Sequence, residues 1–363
     1  MPKFIDAPTR RYVLAGAAGS AAALLAAGSA RRAFGATAAA AEASPVTPEL
    51  VAAARKEGQV NFLSAGDLLL VQKIGAAFEA KYPGVKVQGE RIGSERIFQR
   101  LDQEYSRGIH NVDVVDSADA SHFLLWKRHG WLAPYRPEEV AKHWQEADRD
   151  PDGMYAVFRV SLAVIGYNTK LVKPEEAPMS YADLLDPKWR GKLVKGHPSY
   201  SGTVVTVTHL LVREFGWSYL EKLAKQRVMQ VQSVTEPPKK IAIGERPVMV
   251  EGSDYVLFDL QEKGNPVEAV YPAEGTPMIP IPSAVLKEAP HPNAARLFQS
   301  FLFTLEAQQM LIDLGNARSL HPGAKDKPGR KRLAEIKLWR ADPAKQLEEI
   351  EELKRRYSEI FGT

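Results

Sequence analysis

Along most of the chain, apolar positions fall into short runs of two-residue period and longer runs of helical period. Thr47-Pro48-Glu49 opens a helix, with a hydroxyl at the N-cap and proline at the first helical position; Gly58 closes it. Gln59 to Ser64 reads as a strand. Residues 67–82 read as a helix with Leu70, Ile74, Ala77 and Phe78 on one face, stopped by Pro83-Gly84. A strand follows at 85–90. Ser94 is then expected to cap a helix bearing Phe98, Leu101 and Tyr105. Residues 112–116 form the next strand and 120–129 the next helix. Strand and helix alternate with short connections, which predicts an α/β fold: a mostly parallel sheet with helices on both faces.

Asp148 to Gly153 interrupts the alternation. Strands are expected at 154–160 and 162–167, helices at 203–215 and 218–226, and strands at 228–231 and 248–251. A proline-rich stretch holds two more strands, 267–271 and 278–282. Helices follow at 293–303 and 305–314. The last helix runs from Pro343 to Ile360, with Asp342 as N-cap and Leu347, Ile350, Leu353, Tyr357 and Ile360 as its apolar stripe.

The first 43 residues differ in character. Arg10-Arg11 precedes Val13 to Ala30, a weakly apolar run diluted by five glycine or serine residues, and small residues follow. This order resembles a bacterial twin-arginine signal peptide, cleaved between about residues 36 and 44. The run is too dilute for a membrane anchor. With no cysteine in the chain there is no lipid attachment site after the signal, no disulfide and no thiolate chemistry. A periplasmic protein is expected.

Charge adds little beyond this. The net +4 arises wholly within residues 1–40, and residues 41–363 carry 43 basic and 43 acidic groups. No basic excess remains to suggest nucleic acid as a partner. A length of 363 residues suggests two domains.

Two motifs fail on inspection. Gly196 to Thr203 lacks the lysine of a phosphate-binding loop. Asp148-x-Asp150-x-Asp152-Gly153 begins like a calcium loop, but Arg159 stands where a glutamate is needed, so a solvated turn is expected. Lys325 to Arg332 reads as a solvated basic tail. No hydrolase motif is present, and the chain is read as non-enzymatic, with no cofactor.

Ligands of open α/β folds sit at the carboxyl ends of strands. Four loops meet that condition: Ser64 to Asp67, Arg91 to Ser94, Asp116 to Asp119, and Ser199 to Thr203. Each is rich in small polar residues and opens a helix, whose first N–H groups attract anions. Glu251 to Tyr255 adds two acids and a phenol at a strand end. The candidate ligand-binding residues are Ser64, Asp67, Ser94, Asp116, Ser117, Ser199, Ser201, Gly202, Thr203, Glu251, Asp254 and Tyr255. Of eight histidines, His197 lies nearest these loops.

The order of several stretches carries a resemblance: Gly58 to Ser64, Ala77 to Val87, Gly130 to Tyr135, Ile165 to Leu171, Asp183 to Lys192, Tyr271 to Pro277 and His291 to Ala295. Together they resemble periplasmic substrate-binding proteins of bacterial ABC importers, of the type 2 fold and the ferric-iron-binding-like subfamily. The resemblance implies two lobes joined by two crossing strands: residues 46–156 plus 277–363, and residues 157–276. It implies a monomer that closes on a small-molecule ligand and docks on a membrane permease. A sensory role and an exported enzyme are the alternatives. Ferric-iron members carry two adjacent tyrosines where this chain has Asp254, Tyr255 and Val256, and often a histidine where it has Ala65-Gly66-Asp67. An organic or phosphorylated anion is therefore the leading ligand. If iron is bound, Tyr255, Glu251, Asp254 and Asp67 are its expected ligands; acids in the cleft also leave a polyamine open.

Overall fold

The computed structural model describes residues 42–363. All but the last two residues of the expected signal lie outside the described residues. The strands are β1 (Gln59–Ser64), β2 (Lys86–Arg91), β3 (Val114–Asp116), β4 (Ala156–Asn168), β5 (Leu193–Gly196), β6 (Met229–Val231), β7 (Val248–Ser253), β8 (Val267–Val270), β9 (Thr276–Val285) and β10 (Leu338–Trp339). The helices are α1 (Pro48–Glu57), α2 (Leu68–Lys81), α3 (Ser94–Ser106), α4 (Ala120–Arg128), α5 (Glu138–His143), α6 (Gly202–Phe215), α7 (Trp217–Lys225), α8 (Glu236–Ala242), α9 (Asp254–Glu262), α10 (Pro292–Leu302), α11 (Leu305–Gly315) and α12 (Pro343–Phe361).

Local chemistry sets the element ends. The Thr47 hydroxyl accepts from Leu50 N–H, Pro48 sits in the first turn, and Gly58 closes α1 at φ 77°. Asp67 caps α2 and Asp342 caps α12.

The strands join in the order β2-β1-β3-β9-β4-β7-β5-β6, with β10 on β9 and β8 on β4. The β2-β1-β3 group is parallel, as is β7-β5-β6; β9 and β4 run antiparallel between them. The first half of β4 pairs with β9 from Ala156↔Ser283 to Leu162↔Met278, and the second half with β7 and β8. All 13 of its residues are buried. The two strands expected at 154–160 and 162–167 are thus one, because Ser161 takes part in the ladder rather than turning the chain.

An aromatic core of Phe62, Phe78, Phe298 and Phe301 lies under β1, with edge-on ring contacts near 5 Å. A second core, around Tyr181, Leu193, Leu210, Leu220 and Val250, lies under the other parallel group. From α12, Leu353 and Tyr357 are buried, and the helix packs on α4, α6 and α7.

Three expectations are corrected. Ser94 is the first residue of α3 and its hydroxyl accepts from Ala118 N–H, leaving Gly93 at the cap without a side chain to offer. Asp148 and Asp150 are not solvated: Arg340 and Lys127 hold them at 2.8 and 2.6 Å, and both are buried. Arg330 leaves the basic tail, buries its guanidinium 4.1 Å from the Phe258 ring centroid, and lies 3.6 Å from Asp254.

Candidate functional site

The carboxyl ends of both parallel groups face one cleft of about 270 Å³. Ala65 after β1, Arg91 to Gln99 after β2, and Ala118 after β3 line one wall. Ser199 to Thr203 after β5, Gln232 to Glu236 after β6, and Ser253 and Tyr255 around the end of β7 line the other. Arg159 and Ser161 of β4 form the floor. The walls approach closely where glycine permits. A Cβ on Gly202 would stand 2.6 Å from Asp119 Cβ, and one on Gly93 3.4 Å from the Tyr200 carbonyl oxygen.

Arg159 is the unusual group. It is 3% exposed and is the one charged residue of a mostly apolar, fully buried strand. Its nearest counter-charge, Asp116 Oδ1, is 3.8 Å from Nη2, too far for a hydrogen bond. A buried cation with unused donors is costly unless something else satisfies it. Gly66 gives it room: a Cβ there would lie 3.1 Å from Nη2.

Asp116 is committed to the first loop. Its Oδ2 accepts from Ser64 Oγ at 2.7 Å and its Oδ1 from Ala65 N–H at 2.8 Å, while Ser64 Oγ accepts from Gly66 N–H. Burial raises the Asp116 pKa, and the Arg159 charge opposes it.

The β5–α6 loop presents hydroxyls. Ser201 is the N-cap of α6 but makes no side-chain capping bond, so its hydroxyl is not spent on its own helix. Thr203 is the second residue of α6 and lines the cleft beside the free N–H groups of the helix start. Tyr255 reaches the cleft from α9; burial raises its pKa, with Arg159 pulling down, Asp67 up, and Arg91 and Ser253 down.

Of the predicted residues, the cleft brings together Ser94, Ser199, Ser201, Thr203 and Tyr255. Ser64, Asp116 and Ser117 lie beneath it: Ser117 Oγ faces His122 Nδ1 at 3.0 Å. Gly202 sets the wall-to-wall contact. Asp67 caps α2.

Two predicted residues are spent elsewhere. Glu251 is fully buried, 3.2 Å from Lys195 Nζ, which also donates to Tyr357 Oη and the Gly196 carbonyl oxygen at 2.8 Å. Asp254 accepts from Arg318 Nε at 2.8 Å and from Leu162 N–H at 3.0 Å. Of the four expected iron ligands, therefore, only Tyr255 lines the cleft. His197 also points away, bonded through Nε2 to Thr363 Oγ1 at 2.8 Å.

Arg91 lay in a candidate loop without being singled out; sequence reasoning missed Arg96, Arg159, Ser161 and Gln232 to Thr235. Arg159 had a signal: it is the one charged residue in Met154 to Tyr167. Arg96 and Ser161 lie inside a helix and a strand, and Gln232 to Thr235 in a loop of ordinary composition.

The sequence profile of bacterial extracellular solute-binding proteins matches residues 110–337. Iron uptake protein A1 of Synechocystis is 24% identical over 270 residues, covering 70% of this chain and 74% of that protein. The periplasmic binding protein AfuA of Actinobacillus pleuropneumoniae, solved with fructose-6-phosphate bound, superposes with TM-score 0.77 at 23% identity, covering 84% of this chain and 99% of that one. Iron-bound HitA of Pseudomonas aeruginosa superposes with TM-score 0.72 at 21% identity, covering 82% and 99%.

Proposed function

The chain belongs to the bacterial extracellular solute-binding protein family, and from that membership we propose that it captures an organic or phosphorylated anion in this cleft and delivers it to an ABC importer permease. Arg159 is the observation that carries the reading: a buried guanidinium with unused donors on the floor of a cleft lined by hydroxyls. Arg91 and Arg96 at the rim add positive charge, and the α6 start adds N–H groups. A phosphate or carboxylate placed over Arg159 would meet donors from both walls. Contacts made to both walls at once favour a closed form.

On this reading the groups around β1 and β5 are the two lobes, residues 46–156 plus 277–363 and 157–276, and β4 and β9 are the hinge. The protein is a monomeric receptor exported through the twin-arginine route.

Native mass spectrometry of the protein as purified from periplasm tests the ligand class. A retained small anion, with calorimetric binding of that anion, supports the reading. The iron reading draws on the names of the relatives and on Tyr255. Tyr255→Phe separates the two. With an anion it costs at most one hydrogen bond, about 1.5–3 kcal/mol. With Fe(III) it removes a phenolate ligand and the visible absorption together. A coloured protein that bleaches in this variant would overturn the anion proposal.

A further inference from the structure

In and behind the cleft wall three buried side chains converge: Glu95 of α3, which also lines the cleft, Asp119 at the N-cap of α4, and His122 in its first turn. His122 Nε2 lies 3.6 Å from Glu95 Oε1 and 3.7 Å from Asp119 Oδ2. Those two carboxylate oxygens are buried and have no hydrogen-bond partner among the described residues. The separations are too long for hydrogen bonds. They are close to the roughly 3.3–3.5 Å between donors that share one tetrahedral zinc ion at about 2.0–2.2 Å.

Each side chain is held by its other polar atom. Glu95 Oε2 takes Lys354 Nζ at 2.6 Å. Asp119 Oδ1 accepts from Ser121 N–H and Oγ and from Gln346 Nε2. Ser117 Oγ stands 3.0 Å from His122 Nδ1; in the tautomer with its proton on Nδ1 the ring donates to that oxygen, and the Nε2 lone pair faces the carboxylates. Phe98 stacks on the imidazole at 4.8 Å. One atom anchored and one aimed at a common point, three times over, is how a metal's outer partners orient its ligands. With His122 neutral, as a metal ligand requires, two carboxylates against one lysine leave a net negative charge for the ion to offset.

We propose that Glu95 Oε1, Asp119 Oδ2 and His122 Nε2 bind a divalent transition-metal ion of the zinc class, with water in the fourth position. This ion is distinct from the solute of the cleft. It ties α3 to α4, and through Lys354 and Gln346 both are fixed to α12. A similar group, Glu139, His143 and His321, does not qualify, because His321 Nδ1 accepts from Gly323 N–H and its Nε2 therefore carries the proton.

The test uses the full mature chain, stripped with chelator and titrated with Zn²⁺ in a calorimeter. One equivalent is expected to bind. Glu95→Gln should abolish that binding, and Ser117→Ala, which removes the partner of His122 Nδ1 and of Asp119 N–H, should weaken it about 10- to 100-fold. Should Glu95→Gln not fold, crystals of the parent grown with Zn²⁺ are expected to give an anomalous peak among the three named atoms. Arg159→Met should leave the zinc stoichiometry unchanged, so failure of the cleft proposal and failure of this one are separable. No zinc uptake by the parent, uptake unaltered in Glu95→Gln, or a peak at Tyr255 instead would overturn the inference.

Discussion

Replacing Arg159 by methionine keeps an unbranched side chain of similar reach and deletes the guanidinium. Two consequences follow from its surroundings. The first is affinity. A hydrogen bond from a charged donor is worth about 1.5–3 kcal/mol, or roughly 10- to 150-fold in Kd, and a bidentate anion would lose two. The second is the stability of the ligand-free protein. Asp116 is buried with its folded pKa above the usual carboxylate value, raised by burial and held back by Arg159. Its ionised form therefore costs stability. That cost is absent below the unfolded pKa, sets in as pH rises towards the folded pKa, and is complete above it. Without Arg159 the folded pKa rises further, so the variant should lose stability at neutral pH and recover towards the parent in acid. Calorimetry with the solute identified by mass spectrometry reads the first effect; urea denaturation between pH 4 and 8 reads the second. An affinity within threefold of the parent would refute the placement of the anion over Arg159. A pH-independent stability difference would refute the coupling to Asp116.

Gly202→Ala should destabilise by about 1–3 kcal/mol in urea melts, because its Cβ would stand 2.6 Å from Asp119 Cβ and must push the two walls apart. Arg318→Met breaks a buried pair at 2.8 Å and should cost about 3–5 kcal/mol, while leaving cleft affinity unchanged in whatever fraction folds, since neither Arg318 nor Asp254 lines the cleft. Replacing Arg10 and Arg11 by lysine should trap the protein in the cytoplasm, read by cell fractionation; normal export in a strain lacking the twin-arginine translocase would refute the signal assignment.

The element order was legible because caps and periodicity agree with the tertiary packing. Thr47 and Asp342 each cap the helix their position suggests. The short helices α5 and α8 escaped notice because neither is long enough to show a periodic face. The cleft was half legible. Loops at strand ends pointed to Ser94, Ser201, Thr203 and Tyr255. A polar side chain at a strand end can instead serve an internal partner, and local sequence does not show which. Glu251 and Asp254 looked like ligand groups, but their partners Lys195 and Arg318 stand 56 and 64 residues away in the chain. Arg159 was overlooked for the converse reason, since its value lies in the partner it lacks.

The pairing of β3 with β9 has a consequence for biosynthesis. Val115 is hydrogen-bonded opposite Ala284, so the open edge of β3 waits for a partner made roughly 170 residues later. At about 5–20 residues per second, that edge stays uncovered for roughly 10–30 s on the ribosome. Until β9 emerges, the nascent β1–β3 layer is an apolar sheet with an unpaired margin, the kind of surface that trigger-type chaperones cover and that self-associates when they do not. On the twin-arginine route proposed above, the precursor folds before it crosses the membrane and spends that interval in the cytoplasm.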